Sequence, residues 1–172
     1  MDFFRLWQVS LTYQTRYVHV MSRSDDVINV AAHRLSTGAI EQAIGSNSQV
    51  TEVAVVPLPG QMKGHVPFAF LTIPDPPSDL LKDLNGRLRH HIGPIASLGG
   101  VISAPGIIPK TRSGKTLRRV LKELVENGLE GKYDKEVNVP ATVEDPAVVD
   151  KARAAVKEYF SSGAGKEIKA KL

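Results

Sequence analysis

Lys115 lies in Pro109-Lys110-Thr111-Arg112-Ser113-Gly114-Lys115-Thr116-Leu117-Arg118-Arg119, where five cations occupy eleven residues and no acid is present. Cations at that density suit one kind of chemistry, the holding of an anionic oxygen while negative charge develops on it. Pro109 and Gly114 mark a loop, and Leu117, Val120, Leu121, Leu124 and Val125 recur at helical spacing right behind it. Lys115 is therefore expected on a short loop at the start of an amphipathic helix, which stays packed while the lysine is aimed outward. The string Ser113-Gly114-Lys115-Thr116 is not a phosphate-binding loop, which needs a glycine five positions before Gly114; Pro109 stands there. A helix start carries positive partial charge, so cations collected there call for an offsetting anion. On charge alone, a solvated basic helix start remains the alternative.

The elements that must hold this loop are legible in outline. Tyr17-Val18-His19-Val20-Met21 alternates as a strand does, with Val27-Ile28-Asn29-Val30 as its expected hairpin partner. Ser36 and Thr37 offer an N-cap to a short helix with Ile40, Ala43 and Ile44 inward. Strands are expected over Val50 to Val56 and Val66 to Ile73, separated by the turn-rich Pro57-Leu58-Pro59-Gly60 and closed off by Pro74-Asp75-Pro76-Pro77. Ser78 is expected to cap a helix whose buried stripe is Leu81, Leu84, Leu88 and Ile92. Val101-Ile102 reads as a last short strand, Gly128 as the end of the helix behind Lys115, and Asp145-Pro146 as the start of a final helix with Val149, Ala152, Val156 and Phe160 on one face. Strands and helices mix without strict alternation, which predicts an α+β fold with a small mixed sheet and helices packed on it.

Composition narrows the functions. With 172 residues, 42% of them hydrophobic and 23% charged, the chain has room for one ordinary globular core. It has no cysteine, which excludes disulfides and thiolate metal sites. No apolar run approaches the roughly 18 residues of a membrane span. Residues 82–122 hold nine basic side chains against the single acid Asp83, whereas the flanks are mildly acidic. That zone contains no Phe, Tyr or Trp on which a base could stack, so it reads as a small-anion site and not a nucleic-acid surface. Adjacent His90 and His91 and the lone His19, His33 and His65 read as packing or polar edge residues in preference to a metal site.

Two motifs carry a family resemblance. The segment Pro109–Arg119 resembles the C-terminal lysine motif of AMP-forming acyl-CoA synthetases, in the adenylate-forming superfamily. Upstream, Ser22-Arg23-Ser24-Asp25-Asp26-Val27-Ile28-Asn29-Val30, then His33-Arg34-Leu35-Ser36-Thr37 and Ile40-Glu41, is similar to the hinge motif of that family, with the flavour of the acetate/propionate–CoA ligase type. The resemblance runs from about Tyr17 to near Val149 and covers only the family's small C-terminal lid domain. Residues 1–16 then read as an unrelated or mispredicted leader, with a mitochondrial presequence left open by Arg5, Ser10, Thr12, Thr15 and Arg16. Residues 150–172 read as a C-terminal helix and a flexible tail.

The resemblance implies a two-step reaction: a short-chain carboxylate attacks ATP to give an acyl-adenylate and pyrophosphate, and the thiol of CoA then displaces AMP. It implies Lys115 as the catalytic lysine, Asp25 as the hinge, Arg23 and Arg34 as nucleotide-binding, and Ala31, Ala32 and Arg89 as CoA-binding. ATP with Mg2+ and CoA would be substrates of the full enzyme, with no tightly bound cofactor; a further magnesium ion is implied at backbone carbonyls near Gly45, Asn47 and Val50. The family has Gly before His-Arg and often Ser before that. Here both are alanine, Ala31-Ala32, which puts the thioester half in question. By themselves, Arg23 and Asp25 read as a surface pair and Arg89 as a solvated helix residue.

The chain is expected to be inactive alone, because the acyl and ATP pockets lie on a large domain it lacks. A non-catalytic module that binds CoA or a partner chain is the alternative, and a fragment without a role is a third. The terminal Ala170-Lys171-Leu172 is a variant of the Ser-Lys-Leu peroxisomal address, with Ser161-Ser162-Gly163-Ala164-Gly165 expected as a flexible tether exposing it. Cytoplasm is the location otherwise.

Overall fold

The computed structural model describes residues 7–11, 18–23, 27–30, 33–60, 64–162, 165 and 168, with the backbone alone for 7–11 and 18–23. Its centre is a long antiparallel pair. Strand β5 (Glu52–Gly60) runs against β6 (Gly64–Thr72) in unbroken register, from Glu52 opposite Thr72 to Gly60 opposite Gly64. The other edge of β6 is shared. Near its start it meets β3 (Val27–Val30) where Val30 faces Gly64, and over Phe68 to Leu71 it takes β7 (Gly100–Ser103) in parallel. β4 (His33–Ser36) completes the sheet beside β3, giving the order β4-β3-β6-β5 with β7 also on β6. The sheet is mixed and the fold is α+β, as its sequence pattern predicts.

Alternation along the strands sorts side chains into two cores. Ala54, Val56, Leu58, Phe68, Phe70 and Ile102 face α3 (Arg118–Leu129) and α4 (Pro146–Ser161). Val55, Ala69 and Leu71 face α1 (Thr37–Gly45) and α2 (Leu80–His91). The sheet is thus buried on both sides, which is why β5 and β6 read as near-continuous apolar runs. Phe68 and Phe70 are fully buried, and the Phe68 ring meets those of Phe70, Tyr159 and Phe160 at centroid distances of 5.6, 5.5 and 6.4 Å. Burying one such ring stabilises the fold by about 1.5–3 kcal/mol.

Gly64 stands where no other residue fits well. Its φ is +76°, and a Cβ there would come within 3.0 Å of the Asn29 carbonyl oxygen. The close approach of β3 to β6 depends on it.

Several expectations are corrected. β2 (Val18–Arg23) pairs with β1 (Trp7–Leu11) in a separate two-stranded sheet, not with β3. Both edges of β3 are taken, one by β4 and the other by β6. Pro57-Leu58-Pro59-Gly60 belongs to β5 and is not a turn. β5 pairs with β6 alone among the described residues, and on an edge strand a missing N–H breaks no inner ladder. Helix α2 begins after Asp79, not Ser78, and its buried stripe is Leu80, Leu84 and Leu88, with Leu81 and Ile92 only partly covered. No side-chain cap bond forms at either Ser36 or Asp79.

Gly128 does not end α3. It is buried within the helix, where a Cβ would lie 2.6 Å from a Phe160 ring carbon and 2.7 Å from a Val156 methyl, so it is the point at which α4 closes onto α3. Asp145 does cap α4, accepting from the Ala147 N–H at 2.9 Å ahead of Pro146 in the first turn. The expected tether after Ser161 is not free throughout: Gly165 is buried against the backbone of Tyr159 and Phe160, and Ile168 lies in the core beside Gly99 and Gly100. Ala170-Lys171-Leu172 lies outside the described residues.

Candidate functional site

Lys115 occupies the tip of a small ribbon, not a loose loop. Lys110 and Thr116 face each other across an antiparallel bridge, the Thr111 N–H donates to the Lys115 carbonyl at 2.9 Å, and the Leu117 N–H donates to the Pro109 carbonyl at 2.9 Å. The turn is closed by the Gly114 N–H on the Thr111 carbonyl at 2.8 Å, and the Lys115 N–H donates to Thr111 Oγ1 at 3.1 Å. Gly114 has φ +78°, which the turn requires and most side chains resist. A third segment backs the ribbon. Thr111 bridges to the buried Val143, and the Arg112 and Glu144 N–H groups donate across at 3.0 and 2.9 Å.

The five cations of this stretch divide into two sets. Lys110 is ion-paired to Glu52 at the start of β5. Arg118, the first residue of α3, forks onto Glu41 of α1, with Nε and Nη2 at 3.1 and 3.0 Å from Oε1 and Nη2 at 2.8 Å from Oε2. Glu41 Oε1 also accepts the Val55 N–H of β5 at 2.9 Å. Arg112, Lys115 and Arg119 are exposed and make no ion pair among the described residues. Those three are the cations left to meet an external anion.

The other candidates lie on different elements. Arg34 is exposed on β4, opposite Asn29. Arg89 is exposed in the last turn of α2, where a cation also complements the helix's negative end. It borders an open cavity of about 860 Å³ shared with Lys82, Asn85, Val101, Ser103 and Tyr159. Asn85, which lines that cavity, also holds the backbone of Leu98, donating to its carbonyl at 3.3 Å and accepting its N–H at 2.7 Å. The Ser103 Oγ is buried there without a hydrogen-bond partner, a candidate that sequence alone did not offer. Arg23 ends β2 with its side chain outside the description, and Asp25, Ala31 and Ala32 lie outside the described residues altogether.

At the turn after α1, the Asn47 carbonyl accepts the Val50 N–H at 3.0 Å and the Asn47 side chain accepts the Gln49 N–H at 3.1 Å. One lone pair of that carbonyl remains for a cation. Among the described residues, no group of three or more His, Asp or Glu side chains could hold a metal ion. Among the same residues, no helix is long and apolar enough to cross a membrane.

No hydrogen bond or ion pair joins Lys115, Arg34 and Arg89 among the described residues; each projects from its own element into solvent. Glu41 and Arg118 are the residues that the reading of the sequence left without a role. Their link spans 77 positions, and the only local trace is an acid on α1 and a surplus of cations far downstream.

Residues 39–115 match the model of the AMP-binding enzyme C-terminal domain. The chain is 44% identical over 137 residues to an acetyl-coenzyme A synthetase of Novosphingobium aromaticivorans, an alignment covering 78% of this chain and 20% of that protein. It is 36% identical over 148 residues to the mitochondrial acyl-CoA synthetase short-chain family member B of Dictyostelium discoideum, covering 83% and 20%. Among solved structures, the acetoacetyl-CoA synthetase of Streptomyces lividans superposes with a TM-score of 0.65 at 22% identity, covering 89% of this chain and 22% of that one. The chain thus spans about a fifth of the length of the relatives it matches. The lysine ribbon and the mixed sheet sit in a chain whose residues 39–115 match the AMP-binding enzyme C-terminal domain and whose fold is shared with the matched part of an acetoacetyl-CoA synthetase.

Proposed function

We propose that this chain serves as the C-terminal domain of an acyl-CoA synthetase that activates a short-chain carboxylic acid, acetate or propionate in type, with MgATP and then CoA. The observation that carries the proposal is Lys115 itself, exposed at the tip of a ribbon whose roots are ion-paired to Glu52 of β5 and Glu41 of α1. In the first half-reaction a carboxylate oxygen forms a bond to the α-phosphorus and the bond to pyrophosphate breaks. The Lys115 ammonium donates to the oxygens on which charge accumulates, an electrostatic role that needs reach and fixed aim. In the second half-reaction the thiol sulfur attacks the acyl carbon and AMP leaves.

The remaining assignments belong to the same proposal. Arg23 and Arg34 meet the nucleotide, Asp25 is the pivot between the two half-reactions, and the Ala31-Ala32 connection lies along the path of CoA. Arg89 and Lys82 line a cavity that suits the phosphate end of CoA, a guanidinium fork being well matched to that anion. That cavity also favours a second reading, in which the chain binds CoA without catalysis, because nothing about it involves Lys115.

The test joins the full 172-residue chain behind the large domain of an acetyl-CoA synthetase. Turnover is expected from the joined protein and no pyrophosphate release from the chain alone. Lys115→Ala is expected to slow adenylation about 100-fold or more. Undiminished adenylation in that variant would remove Lys115 from the reaction, and CoA binding by the chain together with no turnover from the joined protein would favour the second reading. Location is proposed from Ala170-Lys171-Leu172: a fluorescent protein ahead of the intact chain is expected in peroxisomes, and removal of Leu172 returns it to the cytosol. Diffuse fluorescence from the intact chain would set that address aside.

A further inference from the structure

We infer that Glu41 is a positioning residue for Lys115, fixing the direction of the lysine ribbon through Arg118; the inference rests on the role proposed for Lys115. Arg118 opens α3, where a cation is disfavoured by the positive end of the helix. Its two donor nitrogens are nonetheless held by both oxygens of Glu41, whose side chain is only 15% exposed. A fork on a carboxylate fixes orientation as well as distance. The same carboxylate accepts the Val55 N–H on the open edge of β5, so it cannot follow Arg118 if α3 shifts without releasing the sheet.

The geometry passes directly to the ribbon. Its neck is the Leu117 N–H on the Pro109 carbonyl, one residue before Arg118, and Lys115 stands three residues before Arg118. The other root is held by Lys110 on Glu52, also a β5 residue. Both roots of the ribbon are therefore referenced to one packed unit, α1 with β5, and α3 alone does not set the aim. A point charge on a long stem needs such a frame, because misplacement by about 1 Å can cost as much as 100-fold in rate. Glu41 touches no reacting atom; it acts through Arg118.

A purely structural role for Glu41 would lower stability and weaken every function together. A positioning role has a narrower signature, read in the joined protein described above. Glu41→Gln keeps the shape and the oxygen for Val55 but loses the charge that holds the fork. It is expected to lower the kcat of adenylation about tenfold or more with the KM for ATP within about twofold. Thioester formation from preformed acyl-adenylate should be unaffected. The decisive measurement is the double-variant cycle: in a Lys115→Ala background, Glu41→Gln is expected to cause no further loss, because the group being positioned is gone.

Equal loss in both backgrounds, or no loss beside an intact Lys115, would overturn the inference and leave the role of Lys115 standing. Normal adenylation in Lys115→Ala would instead overturn that role and the inference with it. Thermal melting of the 172-residue variants checks that they are folded. Should Glu41→Gln not fold, Glu41→Asp, which keeps the charge and shortens the reach, is carried through the same cycle with the same expected non-additivity.

Discussion

At the scale of single residues, the positions that project into solvent could be found by type and spacing, and those that hold them could not. Lys115, Arg112 and Arg119 stand out because the eleven-residue stretch that holds them has no acid, and among the described residues none of the three makes an ion pair. Glu41 is invisible in the same way that Arg118 is: their partners are 14 and 77 positions away, and no local pattern reports a carboxylate shared between a strand edge and a helix start. Gly114 is an intermediate case, legible as a turn marker though its sign of φ is a structural fact. Nothing lies within 4 Å of the Cβ it would carry, so substitution there probes conformation alone. Gly114→Ala is expected to destabilise the chain by about 1–2 kcal/mol, the cost of a left-handed L-residue, and Gly114→Asn by distinctly less. Urea midpoints at constant m would show the order; the reverse order would mean that the turn does not depend on left-handed backbone.

At the scale of elements, the apolar spacing of α3 and α4 and the Asp145-Pro146 helix start are borne out, whereas the stripe of α2 and the punctuation at Gly128 and over residues 57–60 are not. The stripes of α3 and α4 fall where the spacing of Val120, Leu121, Leu124 and Val125, and of Val149, Ala152, Val156 and Phe160, places them. Gly128 misleads because a glycine is equally at home past a helix end and inside a tight helix crossing, and only the neighbouring helix tells which. Pro57 and Pro59 mislead because a proline that breaks an inner strand is harmless on an edge, and sheet order is a long-range property. The crossing makes a sharp forecast. Gly128→Ala gains about 1 kcal/mol of helix propensity. Yet its methyl would sit 2.6 Å from the Phe160 ring, so the overpacking cost of about 1–3 kcal/mol is expected to win. The melting temperature should therefore fall. A rise would show that α4 can retreat from α3 at no cost.

At the scale of the whole molecule, the fold class followed from the mixture of strands and helices, whereas the partners of each strand did not. Adjacency in sequence pairs β3 with β2, but β4 and β6 take both of its edges. The parallel seating of β7 on β6 has a consequence for how the chain assembles in time. The rungs between β5 and β6 join residues from 4 positions apart, Gly60 and Gly64, to 20 apart, Glu52 and Thr72. Those between β6 and β7 join residues 32 apart, Phe68 to Gly100 at the near end, with all of α2 in between. Closing the longer loop costs more chain entropy before any contact rewards it. The antiparallel pair is thus the natural nucleus, and β7, with the ribbon behind it, docks late. In pulsed hydrogen exchange during refolding, the amides of β5 and β6 are expected to gain protection before those of β7. Simultaneous protection would mean that the two halves condense in a single step.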